Sequence, residues 1–307
     1  PALQQNQLLF LPYDMNNIRP NARFNALLLA LVLFFLSVLP TAAQQPDYRH
    51  INYQTDEGLP TNLTKGIIED EDGFTWIATD AGIIRYDGTE FKSYENGLTS
   101  SYPKGLLKTE SNDIYIYHDD GIAKLIGHDD KSIELETVLP GSGNVSPDVV
   151  NYPKVMYEDQ QNNIWISEVY SVARLNPESG QLRRYMIPDE YRTSSFVRSF
   201  NFAETKEGTL ILSSQQGVTF YLDKEADTFV QINNTPFVGT ISTMLYEPTT
   251  GTVWIGTGVG IYALEQQEGL TDGEKKQFSF ERITPETGIS KLVLDQTGNV
   301  WAGSWNA

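Results

Sequence analysis

The sequence predicts an all-β protein, a β-propeller of four-stranded antiparallel blades, and three observations carry that prediction. One pattern recurs six times along the chain. Each copy breaks into short β-rich runs bounded by Gly, Asn and Asp, residues that tolerate the positive φ of tight turns. No long segment shows the 3.6-residue apolar period of a surface helix.

The repeat is marked by a large residue at Trp76, Tyr115, Trp165, Ile211, Trp254 and Trp301, spaced 39 to 50 residues apart. Asp70, Asp159 and Asp295 stand six residues before three of these markers, and Gly73, Gly208, Gly251 and Gly298 stand three before four of them. Each unit opens with an apolar run such as 66–68 or 291–294. A turn then leads to the marker strand, and a short polar turn leads to a third run such as 82–86. A weaker fourth run follows, such as 91–94 or 182–185. Four antiparallel strands per 40 to 50 residues, repeated radially, describe a propeller blade. The units fall near 58–96, 97–139, 151–187, 196–233, 239–283 and 288–307, an incomplete ring of five blades and the start of a sixth. Runs that are apolar throughout predict strands covered on both faces. The markers are expected to fill the space between neighbouring blades. Residues 48–59 are expected to supply an outer strand that closes the ring on the last blade. Together with the non-Met first residue, the stop after Trp301 implies a fragment of a longer reading frame.

The N-terminal region predicts export. Arg19 and Arg23 precede an apolar run over 26–39, and Pro40-Thr41-Ala42-Ala43 follows as a small-residue cleavage site. That is the layout of a secretory signal peptide, and the run is shorter than the ~18 apolar residues of a spanning helix. Residues 1–43 are thus expected to be an upstream extension and signal peptide, with Met15 as a well-placed start. Residues 44–307 form the exported propeller.

A formal charge of −18 argues against a nucleic-acid partner, which calls for clustered Lys and Arg. The lack of cysteine removes disulfides, thiolate metal sites and Cys nucleophiles. Glu69-Asp70-Glu71-Asp72-Gly73 lacks the ligand spacing of a calcium loop. His118-Asp119-Asp120 and His128-Asp129-Asp130 leave too few His for a zinc centre. Gly256 to Gly260 does not match a dinucleotide fingerprint. No catalytic residue, metal ligand or cofactor is expected.

From Gly58 to Gly88 the order Gly-Leu-Pro, then Ile-Ile-Glu-Asp, a Gly, and Trp-Ile-Ala-Thr-x-x-Gly-Ile-x-Arg-Tyr-Asp-Gly closely resembles the two-component regulator propeller repeat. Trp254-Ile255-Gly256-Thr257 with Gly260-Ile261 is similar to it, while Tyr115 and Ile211 depart from its Trp. The resemblance covers residues 48 to 307. It implies the periplasmic sensor of a membrane-bound regulator, most often a histidine kinase, with further propeller, immunoglobulin-like, transmembrane and kinase domains beyond this chain. It also implies an oligosaccharide or other small extracytoplasmic ligand.

Function on such a scaffold is expected on loops. The turns between second and third strands supply Asp80, His118, Asp119, Glu168, Tyr170 and Gln215 as ligand-binding candidates, a mix able to hydrogen-bond and stack on a sugar. The plainer possibility is a set of solvated turns. A homodimer is a further expected partner. A secreted propeller enzyme (a lyase or glycan-active protein) and a non-catalytic envelope scaffold stay open as alternatives.

Overall fold

The computed structural model describes residues 51–94, 98, 100, 102–127, 133–142, 146–169, 171–188, 191, 199–236, 240–267, 276–284 and 287–304. The signal-peptide expectation, Tyr170 and the His128 triplet lie outside them. Among the described residues, twenty-two strands form five four-stranded sheets and one of two strands, every ladder antiparallel between chain neighbours. Blade 1 holds β1 (Thr64–Glu69), β2 (Thr75–Thr79), β3 (Gly82–Tyr86) and β4 (Phe91–Tyr94). Blade 2 holds β5 (Pro103–Lys108), β6 (Ile114–His118), β7 (Gly121–Ile126) and β8 (Glu134–Pro140). Blade 3 is β9 (Val155–Glu158), β10 (Ile164–Ser167), β11 (Ser171–Leu175) and β12 (Leu182–Met186). Blade 4 is β13 (Phe200–Glu204), β14 (Leu210–Ser214), β15 (Thr219–Asp223) and β16 (Thr228–Ile232). Blade 5 is β17 (Ile241–Glu247), β18 (Thr252–Thr257), β19 (Gly260–Gln266) and β20 (Phe278–Arg282), and β21 (Ile289–Leu294) pairs with β22 (Val300–Ser304). First strands of successive blades lie beside one another. This is the propeller that the repeat predicts.

The turn between first and second strands is built the same way throughout. Three residues before each marker stands a left-handed residue: Gly73, Asn112, Asn162, Gly208, Gly251 or Gly298, with φ between 60° and 86°. Only Gly, or Asn with its short polar side chain, takes that conformation cheaply. Asp70 then closes the turn, its Oδ1 accepting from Phe74 N at 2.9 Å and its Oδ2 from the Trp76 indole at 2.7 Å. Asp159 holds Trp165 at 2.7 Å and Asp295 holds Trp301 at 2.8 Å in the same way. Where the marker has no indole N–H, at Tyr115 and Ile211, the Asp is replaced by Thr109 and Thr205, each of which still accepts a turn N–H.

Second strands are the core. Trp76, Trp165, Tyr115 and Ile211 are buried, and the clusters around them join residues of neighbouring blades. Cations on third strands lie opposite and over three of the rings, Arg85 on Trp76, Lys124 on Tyr115 and Arg174 on Trp165. Two markers depart from the expected burial. Blade 5 carries one extra turn residue, so Glu247 replaces the Asp, caps the N–H groups of Thr249 and Thr250, and leaves the Trp254 indole nitrogen buried without a partner. Trp301 is 44% exposed, in a sheet that has two strands among the described residues.

The segment expected as a closing outer strand takes another form. Thr55–Glu57 is a single 3-10 turn ending at Gly58, whose φ is 98°. Tyr53 leans on blade 1 instead, its hydroxyl 2.7 Å from that of Tyr86 and its ring 5.5 Å from Phe91.

Candidate functional site

The turns between second and third strands are tied to the segments entering the first strands. Asp80 N donates to Leu63 O, Lys154 N to Ser167 O, Ile241 N to Gln215 O and Gly258 N to Thr240 O, at 2.8 to 3.3 Å. These turns therefore rim the end of the inner strands, a rigid ledge over a buried scaffold.

In the five four-stranded blades the last residue of the second strand is a fully buried polar group, Thr79, His118, Ser167, Ser214 or Thr257. Ser167 Oγ accepts from Phe200 N of the next blade, and the other four brace their turns. Thr79 Oγ1 accepts from Ala81 N at 3.1 Å and Thr257 Oγ1 from Val259 N at 3.2 Å. His118 plays that part in blade 2, its Nδ1 accepting from Asp120 N at 3.2 Å. The acceptor role puts the proton on Nε2, which is buried without a partner. Burial holds the imidazole below its ordinary pKa, against the opposing pull of Asp120 and Asp119. His118 thus serves as a turn brace and presents no surface to a ligand.

Glu168 is likewise internal. Its side chain is inaccessible, and its carboxylate takes a two-pronged bond from Arg184 at 2.7 and 3.0 Å, the Ser171 hydroxyl at 2.5 Å and Asn151 N at 2.7 Å. Arg184 also donates to Ser146 O and Val149 O, so the pair secures the segment leading into blade 3. Asp80 is half-buried, with an Oδ1 that has no partner. Gln215 is exposed. Asp119 is half-buried and ion-paired with Lys104. Burial alone would raise its pKa, but the hydrogen bond and charge of Lys104 outweigh that and hold it below the usual range.

On this ledge the structure adds residues that the turn-based candidates omit. Tyr102 and Tyr152 stand 57% and 42% exposed, each immediately before a Pro; Pro103 opens β5 and Pro153 lies just ahead of β9. Lys65 of blade 1 lies 5.9 Å from the Tyr102 ring of blade 2, and Lys104 of blade 2 lies 6.0 Å from the Tyr152 ring of blade 3. Lys104 also reaches Pro153 O at 3.4 Å. The signal was present in the sequence as Tyr-Pro-Lys, at 102–104 and again at 152–154. A neighbouring Pro restricts the preceding residue and removes an N–H, which sets the tyrosines apart from the ladder.

Elsewhere, a cleft of about 510 Å³ on the rim of blades 4 and 5 is lined by Tyr221, Asn233, Gln267 and Phe278 among others. A smaller space of about 300 Å³ holds Asp159, Arg174, Glu204 and Asp227 between blades 3 and 4. Among the described residues no three His, Asp or Glu side chains converge as a metal site, and no helix is long and apolar enough to cross a membrane.

The fold is shared with proteins of several kinds. No family model matches the chain, and comparison with curated proteins also finds no match. Among solved structures, it is similar to the extracellular domain of the hybrid two-component system BT3049 of B. thetaiotaomicron. That likeness has 19% identity and a TM-score of 0.60, and covers 82% of this chain but 32% of the other. It is also similar to virginiamycin B lyase of Staphylococcus aureus, with 14% identity and a TM-score of 0.59 over 84% and 81% of the two chains. A third is PorZ, a surface component of the type-IX secretion system of Porphyromonas gingivalis, with 14% identity and a TM-score of 0.56 over 83% and 40%. The chain thus spans about a third of the first of these structures. At these identities the likeness establishes the propeller fold.

Proposed function

We propose that this propeller is the exported, ligand-sensing part of a two-component signalling regulator. The observation that carries the reading is the ledge itself: two exposed tyrosines and their lysine partners, on the segments entering the inner strands beside turns whose braces are buried. Such a surface binds without chemistry, since aromatic faces and fixed hydrogen-bonding groups recognise a small polar ligand. Likeness to a sensor ectodomain and the Gly58–Gly88 repeat support the same reading. Binding energy would shift the ectodomain between two states and so bias the output domains of the parent protein.

The enzyme alternative draws support from the likeness to a lyase, but His118 is committed to its turn. The test uses the full reading frame in cells carrying a reporter for its output. Tyr102→Ala with Tyr152→Ala should abolish the response to the inducing ligand while the protein remains folded and exported. An unchanged response would overturn the ledge as the sensing site, and ligand turnover by the purified protein would favour the enzyme.

A further inference from the structure

The ledge carries a cationic crescent in a strongly acidic chain, and this rests on the reading of the ledge as a ligand site. The inner strand of blade 1 shifts register between Thr64 and Gly66, and that of blade 2 between Pro103 and Gly105. The extra residue at each bulge is a lysine, Lys65 or Lys104. Blade 3 repeats the Tyr-Pro-Lys order and places Lys154 just before β9. In blades 5 and 6 the same shift falls on Ser242 and Ser290, between Ile241 and Thr243 and between Ile289 and Lys291. Bulges re-aim side chains next to functional sites. Here they do so with lysine in blades 1 and 2, while Lys154 precedes the unbulged β9 of blade 3, in a protein of net charge −18.

The strands that carry the first two lysines approach each other closely. A Cβ on Gly66 would lie 3.3 Å from Gly105 Cα, so β1 and β5 approach each other at the glycines that directly follow Lys65 and Lys104. Two ammonium groups on adjacent, glycine-thinned strands repel each other unless an anion sits between or beside them. Asp119 supplies part of that charge, since it pairs with Lys104 and also feels Lys154. Its side chain is 46% exposed, open to displacement.

We infer that the crescent of Lys65, Lys104 and Lys154 binds a small ligand bearing two or more oxyanion groups, carboxylate, sulfate or phosphate. Asp119 is the internal competitor that the ligand displaces from Lys104. Ammonium groups serve all three oxyanions as point charges, and the tyrosines flank the chain that links them.

Calorimetric titration of the intact chain would use trigalacturonate for carboxylate, a sulfated disaccharide for sulfate and fructose bisphosphate for phosphate, with maltotriose as the neutral control. At least one anionic probe should bind saturably, and more weakly as salt is raised. Lys104→Met should weaken it roughly tenfold, and Asp119→Asn should tighten it several-fold by removing the competitor. Lys276→Met, on the distant rim, checks against a general charge effect and should change nothing. Absence of saturable binding by any anionic probe overturns the inference, as does binding indifferent to both ledge variants. Maltotriose binding that is lost in the Tyr102→Ala/Tyr152→Ala variant but insensitive to Lys104→Met would leave the sensing ledge standing and remove the anion from it.

Discussion

At the scale of single residues, the repeat makes a matched comparison between indoles. Trp165 donates to Asp159 at 2.7 Å, whereas the Trp254 nitrogen is buried without a partner. Trp→Phe keeps most of the apolar area in both blades but breaks a charged hydrogen bond only in blade 3. Trp165→Phe should cost about 1.5–3 kcal/mol beyond its lost area, and Trp254→Phe no such increment, as read from urea midpoints. Arg184 makes a second case. Its removal as Arg184→Met strands Glu168 in a side-chain environment with no solvent access, and should cost about 3–5 kcal/mol in the same measurement. The double variant with Glu168→Gln should recover part of that loss, because no charge is then left unpaired.

Between elements, carboxylates at the ends of inner strands latch blades together. Glu158 Oε2 accepts from Glu110 N, and Glu204 Oε2 from Gln160 N, each at 2.7 Å and each from the turn of the preceding blade. Burial raises the pKa of Glu204, with the N–H of Gln160 and the charge of Lys224 at 3.9 Å pulling the other way and Asp159 adding to the rise. The folded protein therefore binds that proton more tightly than the unfolded chain. Its contribution to stability is fully present below the unfolded value and falls as pH rises through the folded one. Glu247 has the opposite sign. The Thr250 and Thr249 hydrogen bonds lower it to about 2, so its contribution is present above the ordinary carboxylate range and is lost as pH falls towards that value. Glu204→Gln keeps an acceptor for Gln160 N without the buried charge. Denaturation midpoints across the range from about pH 4 to about pH 7 should fall less steeply with pH for this variant than for the parent. An unaltered slope would place the buried charge elsewhere.

For the whole molecule, protection should follow burial along the arc of blades. Blades 3 to 5 enclose two clusters of aromatic and aliphatic side chains, with Trp165, Phe200 and Ile211 inaccessible. The β21–β22 pair leaves Val293 and Trp301 51% and 44% exposed, and the other end leaves Leu63 and Ile67 above 60%. Local opening takes least free energy where few apolar contacts are lost. Amide hydrogens of β22 should exchange well before those of β14, and slow exchange of β22 would mean that its exposed face is covered in solution, as by self-association.

The blade is written in the local pattern of residues. Its markers, its Gly and Asn three residues earlier and its Asp six earlier are local requirements of a tight turn and its indole, satisfied within one unit and so visible as a period. The turn positions of Asp80, His118, Asp119, Glu168 and Gln215 followed from that period. What those side chains do was decided only in three dimensions. Glu168 meets Arg184 from 16 residues away, and His118 sinks to the fully buried position that Thr79 holds in blade 1. Tyr-Pro-Lys was equally legible as letters, yet its meaning depends on Lys65 and Lys104 reaching across to the tyrosine of the next blade. Periodicity reports what a unit needs for its own folding, whereas burial and charge pairing between units arise only when the blades are set side by side.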